Sequence, residues 1–202
     1  MKFDAVLFDV GKVLLDWDPR HLYLDTFGGD TTATARFLAE VVPLSWIMEM
    51  DAGKPMAQAV AERIAAHPAH AERIAMYQAD WEKTVRGAIP GSVEILAELR
   101  ARKTRLFALT NFSVETWPLA VQRFDFLGWF ETAVVSGEVG LAKPDPRIYS
   151  AAIERCRLAP ERTVFVDDRL ENVEAARAFG MHGLQFIDAG ALRTDLAGLG
   201  LL

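Results

Sequence analysis

The sequence predicts an α/β fold built on a doubly wound parallel sheet, with a helical cap inserted after the first strand. Two observations support this prediction. Short apolar runs typical of buried strands alternate with stretches of helical periodicity, and one long helical stretch interrupts the alternation once. Because strands joined by single helices pair in parallel, the alternation favours a sheet that is covered by helices on both faces.

Five runs rich in Val, Leu, Phe and Ala are the predicted strands. Each run is short and almost wholly apolar, as expected for a strand that is buried on both faces. The runs are residues 5–8, 105–109, 133–135, 163–166 and 183–187.

Helical periodicity fills the intervals between the later strands. The predicted helices are residues 92–102, 117–124, 147–156 and 171–179, and residues 188–202 are predicted as a short closing tail. The single cysteine, Cys156, falls at the end of the third of these helices, so the chain has no intrachain disulfide. The sequence predicts that Cys156 is a small core residue.

The segment between the first and second strands has a different pattern. From about residue 20 to residue 91 it has helical periodicity and no convincing strand, most clearly at residues 33–42, 56–66 and 69–85. The sequence therefore predicts a discontinuous core of residues 1–19 and 88–202 and a helical cap of residues 20–87. We call residues 20–87 the cap segment.

Composition narrows the classes of partner. A net charge of −6 argues against a nucleic-acid partner, since phosphate backbones bind clustered Lys and Arg. No run approaches the roughly 20 apolar residues of a membrane span, and no signal-peptide pattern is visible. The sequence predicts a soluble, cytoplasmic protein without a membrane partner, and favours no particular oligomeric state.

Asp9 directly follows the first predicted strand and is the leading candidate for chemistry. A carboxylate at the end of a buried strand is costly to keep without a use. In an open α/β sheet, ligands bind outside the carboxyl ends of the strands. Asp9 is therefore a candidate nucleophile. The alternative is an ordinary turn or helix-capping aspartate.

Three further strand ends carry polar groups. Thr110 and Asn111 could hold phosphate oxygens, and Lys143, between a loop and a proline-bounded helix start, could neutralise phosphoryl charge. The adjacent carboxylates of Asp167 and Asp168 repel each other and suit Mg²⁺, which prefers oxygen ligands. Taken singly, each has an ordinary alternative: a polar turn, a surface lysine, or an acid-rich helix start.

The order of these four signals resembles that of the haloacid dehalogenase-like hydrolases. The resemblance spans residues 3–180 and includes Asp9-Val10-Gly11, Thr110-Asn111, Lys143-Pro144 and Asp167-Asp168. Within the family, the sequence is similar to the capped phosphatase branch in which glycine replaces the second aspartate of the first motif. A bacterial α-glucose-1-phosphate phosphatase belongs to that branch.

The resemblance implies roles for the matching residues. Asp9 would attack phosphorus and form an aspartyl-phosphate, and Lys143 would be catalytic while also binding substrate. Thr110 and Asn111 would bind the phosphoryl oxygens of a small phosphorylated metabolite.

The resemblance also implies a Mg²⁺ site. The ligands would be the carboxylates of Asp9 and Asp168 and the backbone carbonyl of Gly11, with Asp167 in support and paired with Lys143. The loop Asp51-Ala52-Gly53 resembles the loop that caps of this family hold over the active site.

Gly11 stands where this family usually has its general acid. General acid–base catalysis contributes typically ~10²–10⁴-fold, so its loss predicts a preference for leaving groups that hardly need a proton. Sugar 1-phosphates, acyl phosphates and aryl phosphates are such substrates. Asp16 and Asp18 lie just downstream and could supply a proton, although a hinge into the cap is the favoured interpretation of both.

The leading hypothesis is a Mg²⁺-dependent phosphatase of a small phosphorylated metabolite. One alternative is a metal-independent 2-haloacid dehalogenase, which also uses an aspartate nucleophile and lacks the second aspartate. Such enzymes typically have tyrosine at the position of Gly11, and the pair Asp167-Asp168 favours a metal. The second alternative is a non-catalytic, metabolite-binding regulator.

Overall fold

The computed structural model describes residues 2–202 and confirms the predicted parallel sheet. Its strands are β1 (Ala5–Phe8), β2 (Leu15–Trp17), β3 (Val85–Ala88), β4 (Arg105–Thr110), β5 (Thr132–Val135), β6 (Thr163–Asp167) and β7 (His182–Gln185). Five of them form one sheet in the order β5-β4-β1-β6-β7, with every neighbouring pair parallel. These five correspond to the five predicted strands.

The register of the sheet brings three strand ends to one level. Phe8, the last residue of β1, pairs with Ala108 on one side and with Val166 on the other. The backbone N–H of Asp9 then donates to the carbonyl of Val166 at 2.8 Å. Asp9 therefore sits at the middle of the edge where ligands of such sheets bind.

Helices cover both faces of the sheet, as the alternation predicts. Successive residues of β1 point to opposite faces, so that Leu7 and Phe8 belong to two separate hydrophobic clusters. The helices are α1 (Pro19–Tyr23), α2 (Thr31–Glu40), α3 (Leu44–Asp51), α4 (Met56–Ala66), α5 (Ala71–Ala79), α6 (Pro90–Ala101), α7 (Trp117–Arg123), α8 (Ser136–Val139), α9 (Pro146–Cys156), α10 (Leu170–Ala178) and α11 (Ala189–Gly198).

A second, two-stranded sheet lies where the chain enters the cap segment and where it leaves it. Strands β2 and β3 pair antiparallel, with Leu15 opposite Ala88 and Trp17 opposite Val85. The prediction of no strand between residues 20 and 91 is therefore wrong at β3. Its sequence, Val85-Arg86-Gly87-Ala88, is too short and too glycine-containing to show a strand period, and its partner is distant in the chain.

The predicted helix over residues 69–85 is also wrong in extent. A 3₁₀ turn at Pro68–His70 precedes α5, and a second at Trp81–Thr84 leads into β3. The hydroxyl of Thr84 donates to the carbonyl of Trp81 at 2.7 Å and stabilises that last turn. This local side-chain bond competes with continuation of the helix.

The end of the chain forms a helix where a closing tail was predicted. Asp188 caps α11 by accepting from the N–H of Ala191 at 2.8 Å, and Leu192 and Leu196 are buried. Cys156 is buried at the end of α9, as predicted. Within residues 2–202, none of the helices combines the length and apolar character needed to cross a membrane.

Candidate active site

Asp9 leaves β1 at the bottom of a cavity and is 7% exposed. Its Oδ1 accepts from the N–H of Val10 at 2.7 Å and lies 2.9 Å from Nζ of Lys143. Burial raises the pKa of Asp9 to about 7, against the opposing effect of the Lys143 ammonium. Both contacts use Oδ1, so Oδ2 is the oxygen left available for chemistry.

Lys143 is the central cation of the site and is 1% exposed. Its Nζ donates to Oδ2 of Asp167 at 2.6 Å besides contacting Asp9. Burial alone would lower the pKa of Lys143, but the carboxylates of Asp167 and Asp9 outweigh it and raise that pKa. Lys143 is therefore a fixed positive charge beside the candidate nucleophile.

Asp167 is completely buried and fully bonded. Its Oδ1 accepts from the N–H of Arg169 and from Nδ2 of Asn172, each at 2.9 Å, while its Oδ2 accepts from Lys143. The structure thus contains the pair of Asp167 and Lys143. Asp167 positions the lysine, because each of its carboxylate oxygens already has a partner.

Asn111 holds the backbone of the lysine loop. Its Oδ1 accepts from the N–H of Lys143 at 2.8 Å, and its Nδ2 donates to the carbonyl of Lys143 at 3.1 Å. This two-point contact fixes the residue that carries the ammonium group. A substrate contact of Asn111 stays a prediction, since the observed bonds of its side chain go to the backbone of Lys143.

Thr110 ends β4, the strand that neighbours β1, and is 1% exposed. Its hydroxyl oxygen is buried and has no hydrogen-bond partner among the described residues. Leaving a buried polar group unpaired costs free energy, so such a group is typical of a position that a ligand satisfies.

The carboxylates of Asp9, Asp167 and Asp168 form an oxygen-rich cluster. One ligand oxygen from each lies within 4.8 Å of the others. Burial, and then the neighbouring Asp167, raise the pKa of Asp168. Because hard divalent cations prefer carboxylate and carbonyl oxygens, this donor set fits Mg²⁺. Gly11 lines the same cavity and has a backbone carbonyl to offer.

The cavity above Asp9 has a volume of about 310 Å³ and opens between the sheet edge and the cap segment. Its floor is polar and its upper wall is largely apolar, which is typical of a small-molecule site with a few orienting polar groups. The apolar and aromatic lining residues, most of which the sequence did not single out, are Trp17, Leu44, Ile47, Met48, Tyr77, Trp81 and Phe112.

One carboxyl group from the cap segment also lines this cavity. Asp51, the last residue of α3, is half-buried, and burial followed by the charge of Asp9 raises its pKa to about 7. The sequence marked residues 51–53 as a loop over the site, but it gave no signal that the Asp51 carboxyl itself would be unusual. That property depends on how the cap packs against the sheet.

Asp16 and Asp18 do not line the cavity. Asp18 caps α1 by accepting from the N–H of Arg20 at 2.8 Å, and its side chain pairs with the guanidinium of the same residue. Asp16 lies 3.7 Å from Nε2 of His21. Both fit the interpretation of this segment as a turn into the cap.

The site groups a buried carboxylate, a buried lysine and a cluster of three carboxylates at the carboxyl edge of a parallel sheet, an arrangement that suits a hydrolase. Comparison with known families gives the same class. A model of the haloacid dehalogenase-like hydrolases matches residues 3–180, so the chain belongs to this family.

Relatives match along most of the chain. The sesquiterpene phosphatase astK of Aspergillus oryzae is 26% identical over 197 residues, covering 96% of this chain and 95% of that protein. The phosphorylated carbohydrates phosphatase of Thermotoga maritima is 25% identical over 187 residues, covering 88% and 82%.

A solved structure has the same fold. It is the HAD family enzyme bt-2542 from Bacteroides thetaiotaomicron, in complex with magnesium and inorganic phosphate, with a TM-score of 0.70 and 20% identity. The match covers 91% of this chain and 93% of that one.

Proposed function

We propose that this protein is a Mg²⁺-dependent phosphatase that hydrolyses a small phosphorylated metabolite through an aspartyl-phosphate on Asp9. The observation that carries the proposal is the close grouping of Asp9 with Lys143, 2.9 Å apart, at the sheet edge where the neighbouring strand β4 ends in the unpartnered hydroxyl of Thr110. A carboxylate nucleophile next to a fixed cation suits attack on an anionic phosphoryl group.

In the first step, Oδ2 of Asp9 attacks phosphorus, and the bond from phosphorus to the leaving-group oxygen breaks. Lys143 neutralises charge on the phosphoryl oxygens, and the Thr110 hydroxyl donates to one of them, which satisfies its missing hydrogen bond. In the second step, water attacks the same phosphorus, which releases inorganic phosphate and restores the Asp9 carboxylate.

The metal ligands in this proposal are Asp9, Asp168 and the backbone carbonyl of Gly11. When bound, Mg²⁺ supplies positive charge to the phosphoryl oxygens and helps to orient them. Asp167 stays outside the ligand set, because its oxygens are bonded to Lys143, Arg169 and Asn172. The presence of magnesium and inorganic phosphate in the bt-2542 structure supports the proposal of a magnesium-dependent phosphatase, although not the choice of ligand residues.

Sugar 1-phosphates are the first substrate class to test. Their anomeric leaving group needs little protonation, which suits a first motif with glycine at position 11. The Thermotoga relative acts on phosphorylated carbohydrates by name, which also favours this class.

A second candidate class is phosphate esters with an apolar leaving part. Leu44, Ile47 and Met48 present apolar side chains to the cavity from one helix, α3, and Trp81 and Phe112 add aromatic surface. The relative that matches 96% of this chain is named a sesquiterpene phosphatase, which supports including isoprenyl phosphates in the test.

We also propose the division of the chain into a core of residues 1–19 and 88–202 and a cap of residues 20–87. The antiparallel pair of β2 and β3 lies at both crossings between them, which supports boundaries at these points. In this arrangement the cap closes the cavity and selects the substrate.

The experiment that tests the function is release of inorganic phosphate from a panel of sugar 1-phosphates, sugar 6-phosphates, aryl phosphates and isoprenyl phosphates. We expect release with Mg²⁺ and none with EDTA. Asp4→Asn, an exposed change at the opposite edge of the sheet, is the control variant. Halide release from 2-haloacids in EDTA, without phosphate release in Mg²⁺, would contradict the proposal and favour a dehalogenase.

A further inference from the structure

Gly11 leaves the first loop of the core without a second carboxyl group after the nucleophile. The step that breaks the bond between phosphorus and the leaving-group oxygen places negative charge on that oxygen, and an alcohol leaving group needs a proton there. A donor must be a titratable group within the cavity. Asp16 and Asp18, the nearest carboxyls in sequence, lie outside it; Asp18 pairs with Arg20, and Asp16 lies 3.7 Å from Nε2 of His21.

Asp51 is the carboxyl that the cap segment contributes to the cavity. Among the described residues, its side chain takes part in no hydrogen bond and no ion pair. Its neighbours on the same stretch behave differently. Glu49 pairs with Lys54 at 2.8 Å on the outside of the cap segment. Of these two carboxylates of α3, only that of Asp51 is unpaired and lines the cavity.

The loop that carries Asp51 is anchored to the core. Gly53 has a φ of +102°, and a Cβ at that position would lie 3.4 Å from the carbonyl oxygen of Gly137. The N–H of Met56 donates to Oε1 of Glu115 at 3.1 Å, a residue of the loop after β4. This close approach and this hydrogen bond hold the turn after α3 against the segments that follow β5 and β4. The carboxyl of Asp51 therefore has a defined place in the wall of the cavity that also contains Asp9.

The surroundings of Asp51 favour its protonated form. Burial raises its pKa to about 7, and the negative charge of Asp9 adds to the effect. Burial, and then the negative charge of Asp51, raise the pKa of the Tyr77 hydroxyl, which lines the same cavity. The other charged groups that line the cavity are Lys12, Lys143, Asp168 and Arg169.

We propose that Asp51 is the general acid of this enzyme and takes the place of the missing core aspartate. This inference depends on the proposed phosphatase function. As the phosphorus–oxygen bond breaks, its electron pair goes to the leaving-group oxygen, which takes the proton of Asp51 and departs as an alcohol. The Asp51 carboxylate then accepts a proton from the water that hydrolyses the aspartyl-phosphate.

This assignment changes the expected substrate range. The glycine alone predicts that only good leaving groups react, whereas a cap-supplied acid lets the wild-type enzyme hydrolyse alkyl phosphates as well. The leaving-group restriction then becomes a property of variants that lack the Asp51 carboxyl.

The test compares Asp51→Asn with wild type on two substrates, p-nitrophenyl phosphate and an alkyl phosphate such as glycerol 3-phosphate. For the alkyl phosphate we expect kcat to fall by ~10²–10⁴-fold with little change in KM, the range of general acid catalysis. For the aryl phosphate, whose phenolate leaves readily, we expect a fall of less than about tenfold, since little proton transfer is needed.

Glu49→Gln, two residues earlier on the same helix, is the matched control and should leave both activities unchanged. Asp51→Glu should restore part of the alkyl phosphate turnover, and Asp51→Ser provides a second variant if the asparagine disturbs the fold. Thermal unfolding checks each protein.

Equal losses on both substrates, or a loss confined to KM, would assign Asp51 to substrate binding and overturn the acid role. Full turnover of the alkyl phosphate by Asp51→Asn would also overturn it. Absence of phosphate release by the wild type from every substrate in Mg²⁺ is a distinct outcome, since it removes the proposed function itself.

Discussion

Asp167 in the core and Asp51 in the cap segment are two carboxyl groups near one nucleophile, and they differ in bonding. Asp167 is completely buried and accepts hydrogen bonds from Lys143, Arg169 and Asn172. Asp51 is half-buried and has no bonded partner among the described residues, and its pKa is raised to about 7. Hydrogen bonding, more than burial, therefore decides whether a carboxyl group in this site acts as a fixed charge or as a proton carrier.

If the core groups form one paired unit, changes there should affect catalysis and stability together. If Asp51 is independent of that unit, its replacement should affect chemistry and leave the fold intact. Four measurements separate these two cases.

Replacing the nucleophile should have the largest effect on turnover. We expect Asp9→Asn to lower kcat by about 10⁴-fold or more, because no aspartyl-phosphate can form on the amide. Phosphate release from the best substrate of the panel measures the loss, and circular dichroism checks the fold. Asp4→Asn, in an exposed ion pair with Arg162, should keep full activity. Substantial turnover by Asp9→Asn would exclude the covalent mechanism.

Removing the central cation, Lys143, should lower both the stability of the fold and the rate of turnover. Lys143→Met leaves the buried carboxylates of Asp9 and Asp167 without their cation, which typically costs about 3–5 kcal/mol of unfolding free energy. We also expect kcat to fall by ~10²–10³-fold, the usual effect of losing one charge-stabilising group. Urea unfolding and phosphate release measure the two effects.

The control for this change is Arg147→Met, which breaks the exposed pair of Arg147 and Asp145. Exposed pairs add little to stability, so this variant should resemble the wild type in both assays. Unchanged stability in Lys143→Met would mean that the core groups are not a paired unit.

Removing the unpartnered hydroxyl should weaken binding without weakening the fold. A hydrogen bond to a charged group is worth about 1.5–3 kcal/mol, so Thr110→Val should raise KM by about 10- to 100-fold. Its unfolding free energy should stay the same or rise. Thr163→Val is the matched control, since that hydroxyl, at the other end of the sheet, already donates to Ala159. It should lose stability and keep its KM.

The fourth prediction leaves turnover aside and concerns the pH dependence of stability in the metal-free protein. The pKa of Asp51 is about 7 in the folded protein and about 4 in an unfolded chain, so the folded state binds more protons between these values. The unfolding free energy of the wild type should therefore fall as pH rises from about 4 to about 7. The unfolding free energy of Asp51→Asn should fall less over this pH range, as measured by urea unfolding in EDTA. Identical pH profiles would place Asp51 in an ordinary solvent environment.

The sequence predicted the central sheet well because its signals are local. Each of the five parallel strands is an apolar run that must be buried, whatever its neighbours are. Strands β2 and β3 lacked such a signal, since Leu15–Trp17 and Val85–Ala88 are short and pair across the whole cap segment. The closing helix α11 was missed because its helical pattern is weak and its stability comes from packing on α6.

The site divides in the same way. Asp9 and Asp168 follow the neighbouring strands β1 and β6, so topology alone brings them together. Lys143 lies beyond α8 in the loop after β5, and its position beside Asp9 depends on the path of that loop. The bonding of Asn111 to the backbone of Lys143 depends on the path of a loop, and no residue pattern encodes it. The environment of Asp51 depends on the docking of the cap and is likewise visible only in three dimensions.

The pairing of β2 with β3 brings together the two points at which the chain leaves the core and returns to it. The N–H of Asp18 donates to the carbonyl of Thr84, and the N–H of Ile89 donates to that of Leu14, each at 2.8 Å. The intervening segment therefore enters and leaves the core at neighbouring points. Insertions, deletions or a whole replacement of that segment can be accepted there without moving β1 or β4. This pairing thus separates the conformation of residues 18–84 from the strands that carry Asp9 and Thr110.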